Sequence, residues 1–320
     1  MRKFIFALFL LVSPLFSSSG QINLTNGLVA HYTFNGNPND QSGYNNNPIT
    51  NNAVLANNRF CESNSAYRFQ GYFNRNRTDI PASSSLTFND TLSFSGFVKI
   101  NNWEGMDNSG GYNSNSGFHP IFAKSHDRSG LWCSVTKNLD SLIIYVGNNI
   151  FDYGVSKFQI RTAVKGNYLN RWMQIGIILS KTQLKIYSDG NKIKTANINL
   201  DMTIANSKPL HFGMYGDTWS GWYPLNGDLD DIRFYKRLLS DVEMKALYQE
   251  GEAGRVVTSI QSGKWEEGTT WDCGRLPTIL NQTIIQNGHI VNLSTTNSSK
   301  SLIINGNLDF RVGGNLTTSQ

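Results

Sequence analysis

The chain of 320 residues predicts an all-β protein of short antiparallel strands, on three observations. Charged residues make up only 16% and aromatic residues 12%, beside 29 Gly and abundant Asn, Ser and Thr. That mix suits strands joined by polar turns, not helices. Apolar residues recur with period two through several segments. A hairpin stands out at residues 170–193, NRWMQIGIILSKTQLKIYSDGNKI, where Asp189-Gly190 turns the chain because glycine supplies a positive φ at little cost. The length suits one large or two modest domains with a sizeable core.

The chain opens as a secretion signal over residues 1–20. Arg2 and Lys3 are a basic start, Phe4 to Val12 an apolar run, and Ser17 to Gly20 small residues for cleavage. That run is too short to cross a bilayer core of about 30 Å, and no later stretch is longer, so stable membrane insertion is not expected. The mature protein is expected to be secreted or on the cell surface. Without Arg2 and Lys3 the formal charge falls from +5 by two, to +3. The remaining Lys and Arg are scattered, with no nucleic-acid signature.

From Leu28 to Phe34 the chain alternates as a strand, and Asn35 to Asn47 is a run of turn residues. Tyr67 and Phe69 interleave with Ala66, Arg68 and Gln70. Leu92, Phe94, Gly96 and Val98 share one parity, as do Met173, Ile175, Ile177 and Leu179. Trp172 belongs with the core, since large aromatic side chains dominate burial. Near residue 240 the sequence Ser240-Asp241-Val242-Glu243 is a capping box, and Leu239 with Met244 has the spacing of a hydrophobic staple. Gly251 is placed to stop this short helix, and Val242, Ala246 and Leu247 are available for packing. Beyond it, Thr283–Leu293 and Leu302–Phe310 are similar units, each with an Asn-Gly turn, and predict successive rungs of a small β-solenoid.

Two widely separated segments carry a family resemblance. GLVAHYTFNGNPNDQSG (27–43) and LNGDLDDIRFYKRLLSDVEMKALY (225–248) resemble the opening and closing strands of the laminin-G-like, concanavalin A-type jelly roll. Trp172, the apolar strand after it and Tyr187-Ser188-Asp189-Gly190 resemble a central stretch of the same domains. The resemblance implies a two-sheet antiparallel sandwich over residues 21–250 with one short closing helix. A linker is expected at 251–261 and a β-rich module at 262–320. The stretch SGKWEEGTTWDCGRLP resembles the Trp-rich opening of modules found in secreted bacterial surface proteins. The family resemblance also implies a recognition role outside the cell.

Catalysis is not expected. Glycosidase carboxylates must face each other about 5–5.5 Å or 6.5–9.5 Å apart. Jelly-roll glucanases of the related fold place theirs as Glu-x-Asp-x-x-Glu, which this chain lacks. It also lacks a Gly-x-Ser-x-Gly elbow, HExxH, a phosphate loop, CxxC and HxxxH. His31, His119, His126, His211 and His289 show no shared spacing.

The resemblance implies a structural calcium joining the first turn to the closing strand, with Asp40, Asn45 and Asp230 as ligands. Asp230 shares parity with Ile232 and Phe234, so a straight strand would aim its carboxylate inward, where it needs compensation. The alternative is an Asx turn at Asp40 and backbone hydrogen bonds at Asp230. For sugar binding the candidates are Trp219, Trp222 and Tyr223 in GDTWSGWYPLNG (216–227), with Asp217 and Asn226 as hydroxyl partners. Trp103 is offered by a second loop, 101–119; the alternative is that these aromatics fold down over the sandwich end. Cys61, Cys133 and Cys273 are an odd set. Cys61 with Cys133 is the only pair within the first domain, and the alternative is three small buried apolar residues. The leading functional expectation is a non-catalytic module binding a polysaccharide or glycoprotein. The others are a glycoside hydrolase or accessory chain, and a structural or adhesive spacer.

Overall fold

The computed structural model describes residues 22–71, 73–106, 112–113, 117–126, 129–138, 141–149, 159–166, 168–200, 202, 207–214 and 224–319. The signal segment 1–20 lies outside them. The first strands are β1 (Leu28–Tyr32), β2 (Thr50–Asn51), β3 (Val54–Ala56), β4 (Ala66–Gln70), β5 (Thr78–Ile80) and β6 (Thr91–Ile100). A small hairpin, β7 (Gly105–Met106) and β8 (Tyr112–Asn113), precedes β9 (His119–His126), β10 (Ser129–Asn138), β11 (Ser141–Asn149) and β12 (Gln159–Lys165). Then follow β13 (Trp172–Ser180), β14 (Gln183–Ser188), β15 (Asn191–Asn197), β16 (Leu210–Phe212), β17 (Asn226–Tyr235) and helix α1 (Asp241–Gln249).

These strands form two antiparallel sheets. One has the order β15-β14-β13-β6-β17-β4-β3, with β1 also on β17; the other runs β12-β11-β10-β9-β16-β5-β2. The opening and closing strands pair directly, Ala30 opposite Phe234 and Tyr32 opposite Ile232. The period-two residues of β6 and β13 face the interior between the sheets, where they meet Phe34, Phe122, Phe212 and Phe234. Gly96 is needed in that row, because a Cβ there would lie 2.4 Å from Ile232 Cδ1.

The capping box forms as the sequence requires. Ser240 Oγ accepts from Glu243 N–H at 3.2 Å, and Ser240 N–H donates to Glu243 Oε2 at 2.8 Å. Met244 and Leu247 pack with Leu239, Tyr187 and Tyr235 on the outer face of the first sheet. Val242, expected to pack, is 63% exposed. Replacing Ser240 by Ala removes the cap and should cost about 1 kcal/mol. A melting temperature lowered by roughly 2–4 °C is the expected readout.

The C-terminal module is a short β-solenoid. Its strands are β18 (Val256–Thr258), β19 (Gly263–Lys264), β20 (Gln282–Ile285), β21 (Ile290–Leu293), β22 (Thr296–Ser299), β23 (Ser301–Ile304), β24 (Asn307–Phe310) and β25 (Asn315–Thr318). They stack in parallel as β18-β20-β23, β19-β21-β24 and β22-β25. The first rung starts at Val256, within the stretch expected to be a linker, because Val257 enters the module's core. Trp265 and Trp271 plug that core, their rings edge to face at 4.9 Å, and Trp271 Nε1–H donates to Trp265 O at 2.8 Å.

The cysteine pairing differs from expectation. The disulfide is Cys61–Cys273, joining a loop of the sandwich to the solenoid. Cys133 could not pair with Cys61: on β10 it alternates inward with Leu131 and Val135 and is enclosed between the sheets. Burial pushes its thiol pKa up, so it stays protonated and inert.

Candidate recognition site

Three loops share one base at an end of the sandwich. The chain crosses from β16 in one sheet to β17 in the other through residues 213–225. Leu225 N–H donates to Gly213 O at 2.8 Å, closing the neck of this loop. Trp219, Trp222, Tyr223 and Asp217 lie in sequence between Gly213 and Leu225 and outside the described residues. Gly213 is required there: its φ is +76°, and a Cβ would lie 2.2 Å from the Phe69 ring.

Asn226 ties the loops together. Its N–H donates to His119 Nδ1 at 3.1 Å, and its carbonyl accepts from Asn101 N–H at 3.0 Å. The second loop is itself closed by Gly117 N–H donating to Trp103 O at 2.8 Å. The third, residues 71–77, begins where Gly71 N–H donates to Leu225 O at 2.9 Å. The Asn226 side chain packs on Gly71, whose Cβ would otherwise stand 2.9 Å from Asn226 Nδ2. Asn226 is thus placed at the centre of the loop base by its backbone as much as by its amide. His119 accepts at Nδ1, so it is neutral with its proton on Nε2; burial pushes its pKa down to about 3.

Trp103 departs from expectation. It is 6% exposed, belongs to the main core, and meets the His119 ring edge to face at 5.5 Å. Phe118 is buried as well. The cause is the close approach of two glycines: a Cβ on Gly117 would lie 2.5 Å from Gly105 Cα, so the two ends of the loop, with Trp103 and Phe118, are drawn onto the sandwich. Beneath the site Asp228 is fully buried. It accepts from Arg68 Nε at 2.8 Å and Nη2 at 3.0 Å, from Lys99 Nζ at 2.9 Å and from Asn101 Nδ2 at 2.8 Å. Burial alone would raise its pKa; Arg68 and Lys99 outweigh that and hold it below the usual carboxylate range.

Phe73, in the third loop, was not singled out from the sequence. The residue is 81% exposed. The signal available was an aromatic inside the turn-rich run GYFNRNR between two strands.

The residues named for calcium do not fit a calcium site. Both Asp40 oxygens are occupied by the chain's own donors: His31 N–H and Ser42 N–H on Oδ1, Asn46 N–H and Ser42 Oγ–H on Oδ2, all at 2.9 Å. Asn45 is exposed, and its neighbour Asn46 welds the turn by donating to Val29 O at 2.8 Å. Asp230 does not face the interior. A β-bulge between Asp230 and Arg233, with Asp231 at φ 49°, reverses the parity of β17. Leu229 and Ile232 therefore both enter the core, while Asp230 lies beside Phe97 on the outer face. There Arg59 compensates it, Nη1 to Oδ2 at 2.6 Å. Among the described residues no group of three or more His, Cys, Asp or Glu is arranged to hold a metal ion.

The bulge instead builds an ionic cluster along a cleft of about 210 Å³, where the sandwich meets the solenoid. Asp231 accepts from His31 Nε2 at 2.7 Å, Arg233 Nε at 3.1 Å and Arg59 Nη2 at 3.3 Å. Arg233 also pairs with Glu250, and Arg255 with Glu62. Each cationic group has an anionic partner, so the cleft reads as a structural junction. His211 pairs with Asp79 at 2.8 Å and His289 with Ser259 at 2.8 Å, so neither is a free base.

Two antiparallel sheets packed as a jelly-roll sandwich, with three loops closed over one base at an end, define a concanavalin A-like β-sandwich. The chain belongs to the concanavalin A-like lectin/glucanases superfamily, whose laminin-G family model matches residues 73–245, more than half of its length. No curated protein sequence matches it. Among solved structures it is similar to the binding domain of botulinum neurotoxin DC in complex with rat synaptotagmin II, with TM-score 0.54 and 17% identity over 71% of this chain and 52% of that one. It is also similar to the binding domain of Paraclostridial Mosquitocidal Protein 1, with TM-score 0.55 and 17% identity over 74% and 55%. A third is botulinum neurotoxin type C, which depends upon interaction with two ganglioside molecules to enter cells (TM-score 0.56, 16% identity, 75% and 56%). The chain spans about half the length of each, and at these identities the likeness is one of fold.

Proposed function

We propose that the protein is an exported, non-catalytic recognition module that binds carbohydrate or a glycosylated partner through the loop end. The observation that carries this is the shared base: three loops, one bearing Trp219, Trp222 and Tyr223, converge on Asn226. A rigid base under aromatic loops lowers the ordering cost of binding. Asp217 is the nearest acidic partner in sequence for sugar hydroxyls. Superfamily membership and the binding domains among its structural neighbours support recognition, and the absence of the Glu-x-Asp-x-x-Glu pattern argues against hydrolysis. The Cys61–Cys273 disulfide supports an oxidising compartment outside the cytosol, in keeping with the signal-like residues 1–20.

The test is a glycan array on the whole chain beside Trp219→Ala/Trp222→Ala. Wild type should bind at least one glycan class, and the double variant should lose about tenfold or more in affinity with an unchanged melting temperature. Release of reducing ends from a polysaccharide panel, abolished by replacing a single carboxylate, would instead make the protein an enzyme.

A further inference from the structure

Residues 58–62 form a compact loop whose successive side chains reach different parts of the molecule. Asn58 sets its shape. Its Oδ1 accepts from Phe60 N–H at 2.9 Å and Glu62 N–H at 3.0 Å, and its carbonyl accepts from Cys61 N–H at 3.1 Å. This turn holds Cys61 at φ 61°, in the left-handed region that favours glycine. Arg59 anchors the loop in the sandwich through Asp230 and Asp231. Phe60, Cys61 and Glu62 meet the solenoid and the residue that leads into it. Glu62 pairs with Arg255 at 2.9 Å, and Cys61 is bonded to Cys273. The Phe60 ring has Arg255 at 3.8 Å and Arg275 at 5.4 Å from its centre.

The noncovalent part of this contact does not need the sulfur bridge. Arg255 and Arg275 lie within cation–π reach of Phe60, and the Asn58 turn fixes Cys61 by its own hydrogen bonds. The two cysteines therefore stay aligned as thiols, and closing the bond is an intramolecular step at high effective concentration. The bridge is also reachable. Cys61 is exposed and Cys273 half-buried, whereas Cys133 is enclosed between the sheets. Exposed disulfides are the labile kind.

We infer that Cys61–Cys273 is a resettable latch, opened by thiol–disulfide exchange with a small dithiol and closed again on the docked solenoid. One thiolate of the dithiol attacks Cys61 Sγ. The S–S bond breaks, its electron pair leaves on Cys273 Sγ, and that sulfur takes up a proton. The second thiolate attacks the reagent's own sulfur in the mixed disulfide, forming the reagent's disulfide and releasing Cys61 to be protonated. Two electrons pass from the dithiol to the cystine. The solenoid is then held by its noncovalent contacts and by the chain at 251–254.

The test treats the whole protein with dithiothreitol without denaturant, removes the reagent, and follows thiol loss during re-closure by oxidised glutathione. Wild type should open to free Cys61 and Cys273 with the sandwich still folded by near-UV circular dichroism. Hydrogen exchange should rise in residues 255–275 on opening and return on closing. Phe60→Ala should re-close about tenfold more slowly, the effect of losing its arginine contacts. Arg255→Gln, which keeps the length and removes the charge, should slow it in the same direction and covers the case in which Phe60→Ala disturbs the loop. A bond that opens only in denaturant overturns the latch. So does re-closure of both variants at the wild-type rate.

Discussion

Asp231→Ala should destabilise the sandwich by about 3–5 kcal/mol, the usual cost of removing one member of a buried ionic cluster. The carboxylate accepts from His31, Arg59 and Arg233, and both arginines are buried. Among the described residues, alanine would leave Glu250 as the anionic partner of Arg233 and Asp230 as that of Arg59, in a place water reaches poorly. The pH dependence follows from the two adjacent carboxyls, which shift in opposite directions. Burial acts to raise Asp231, but His31, Arg233 and Arg59 hold it well below the usual range. Its contribution is fully present above the ordinary Asp value of about 3.9 and is lost as pH falls below that. Asp230 is pushed up to about 7 by burial, against the pull of Arg59. Its contribution is present below about 3.9 and is lost as pH rises toward 7. Melting curves carried from neutral pH down to about pH 2 should show wild type losing the Asp231 contribution below about pH 4, a limb that Asp231→Ala lacks, while the Asp230 contribution is lost in the other direction, as pH rises from about 4 toward 7. An Asp231→Ala protein that melts with wild type at neutral pH would mean the cluster is not buried as described.

Cys61→Ser/Cys273→Ser should cost about 2–5 kcal/mol. The bridge closes a loop with a sequence separation of 212, so its loss frees much of the unfolded chain. The two modules also touch without it. Arg255 lies 3.8 Å above the Phe60 ring and pairs with Glu62 at 2.9 Å. Gly268 and Gly274 abut residues 170–171 so closely that a Cβ on Gly274 would lie 2.3 Å from Asn170 O. Calorimetry should therefore show a lower transition in the serine variant, with the solenoid melting ahead of the sandwich. Cys133 is an internal control: enclosed in the core, it should resist alkylation in the native protein. An unchanged transition would show that the noncovalent contacts alone hold the solenoid in place.

Much of this architecture was legible because burial in a half-covered sheet leaves a period-two trace. The inward rows of β6 and β13 were visible as alternation, and the capping box fixed where α1 begins. What alternation could not show was a break in its own period. The bulge at Asp230 and Asp231 moves one residue out of step, and it turned a carboxylate expected in the core into the partner of Arg59 on the other face. No local signal marks it, since Asp231 differs from its neighbours only in φ. For Trp103 a loop rich in Gly, Asn and Ser left two readings open, and the close approach of Gly105 and Gly117 decides for the one in which the ring covers the sandwich end. The Cys61–Cys273 disulfide leaves no trace within either module's sequence, because the proximity of its cysteines arises from docking of the solenoid on the sandwich. The role of Asn226 was legible as a polar residue beside aromatics. Its use of backbone groups to bind two other loops was not.

The central claim is that recognition occurs at the loop end built on Asn226. Hydrogen exchange of the whole protein, with and without its strongest array glycan, tests it most directly. Protection gained on binding should fall in residues 71–77, 101–119 and 213–226 and spare the ionic junction at 58–62 and 250–255. Protection confined to that junction, or to the solenoid, would contradict the account.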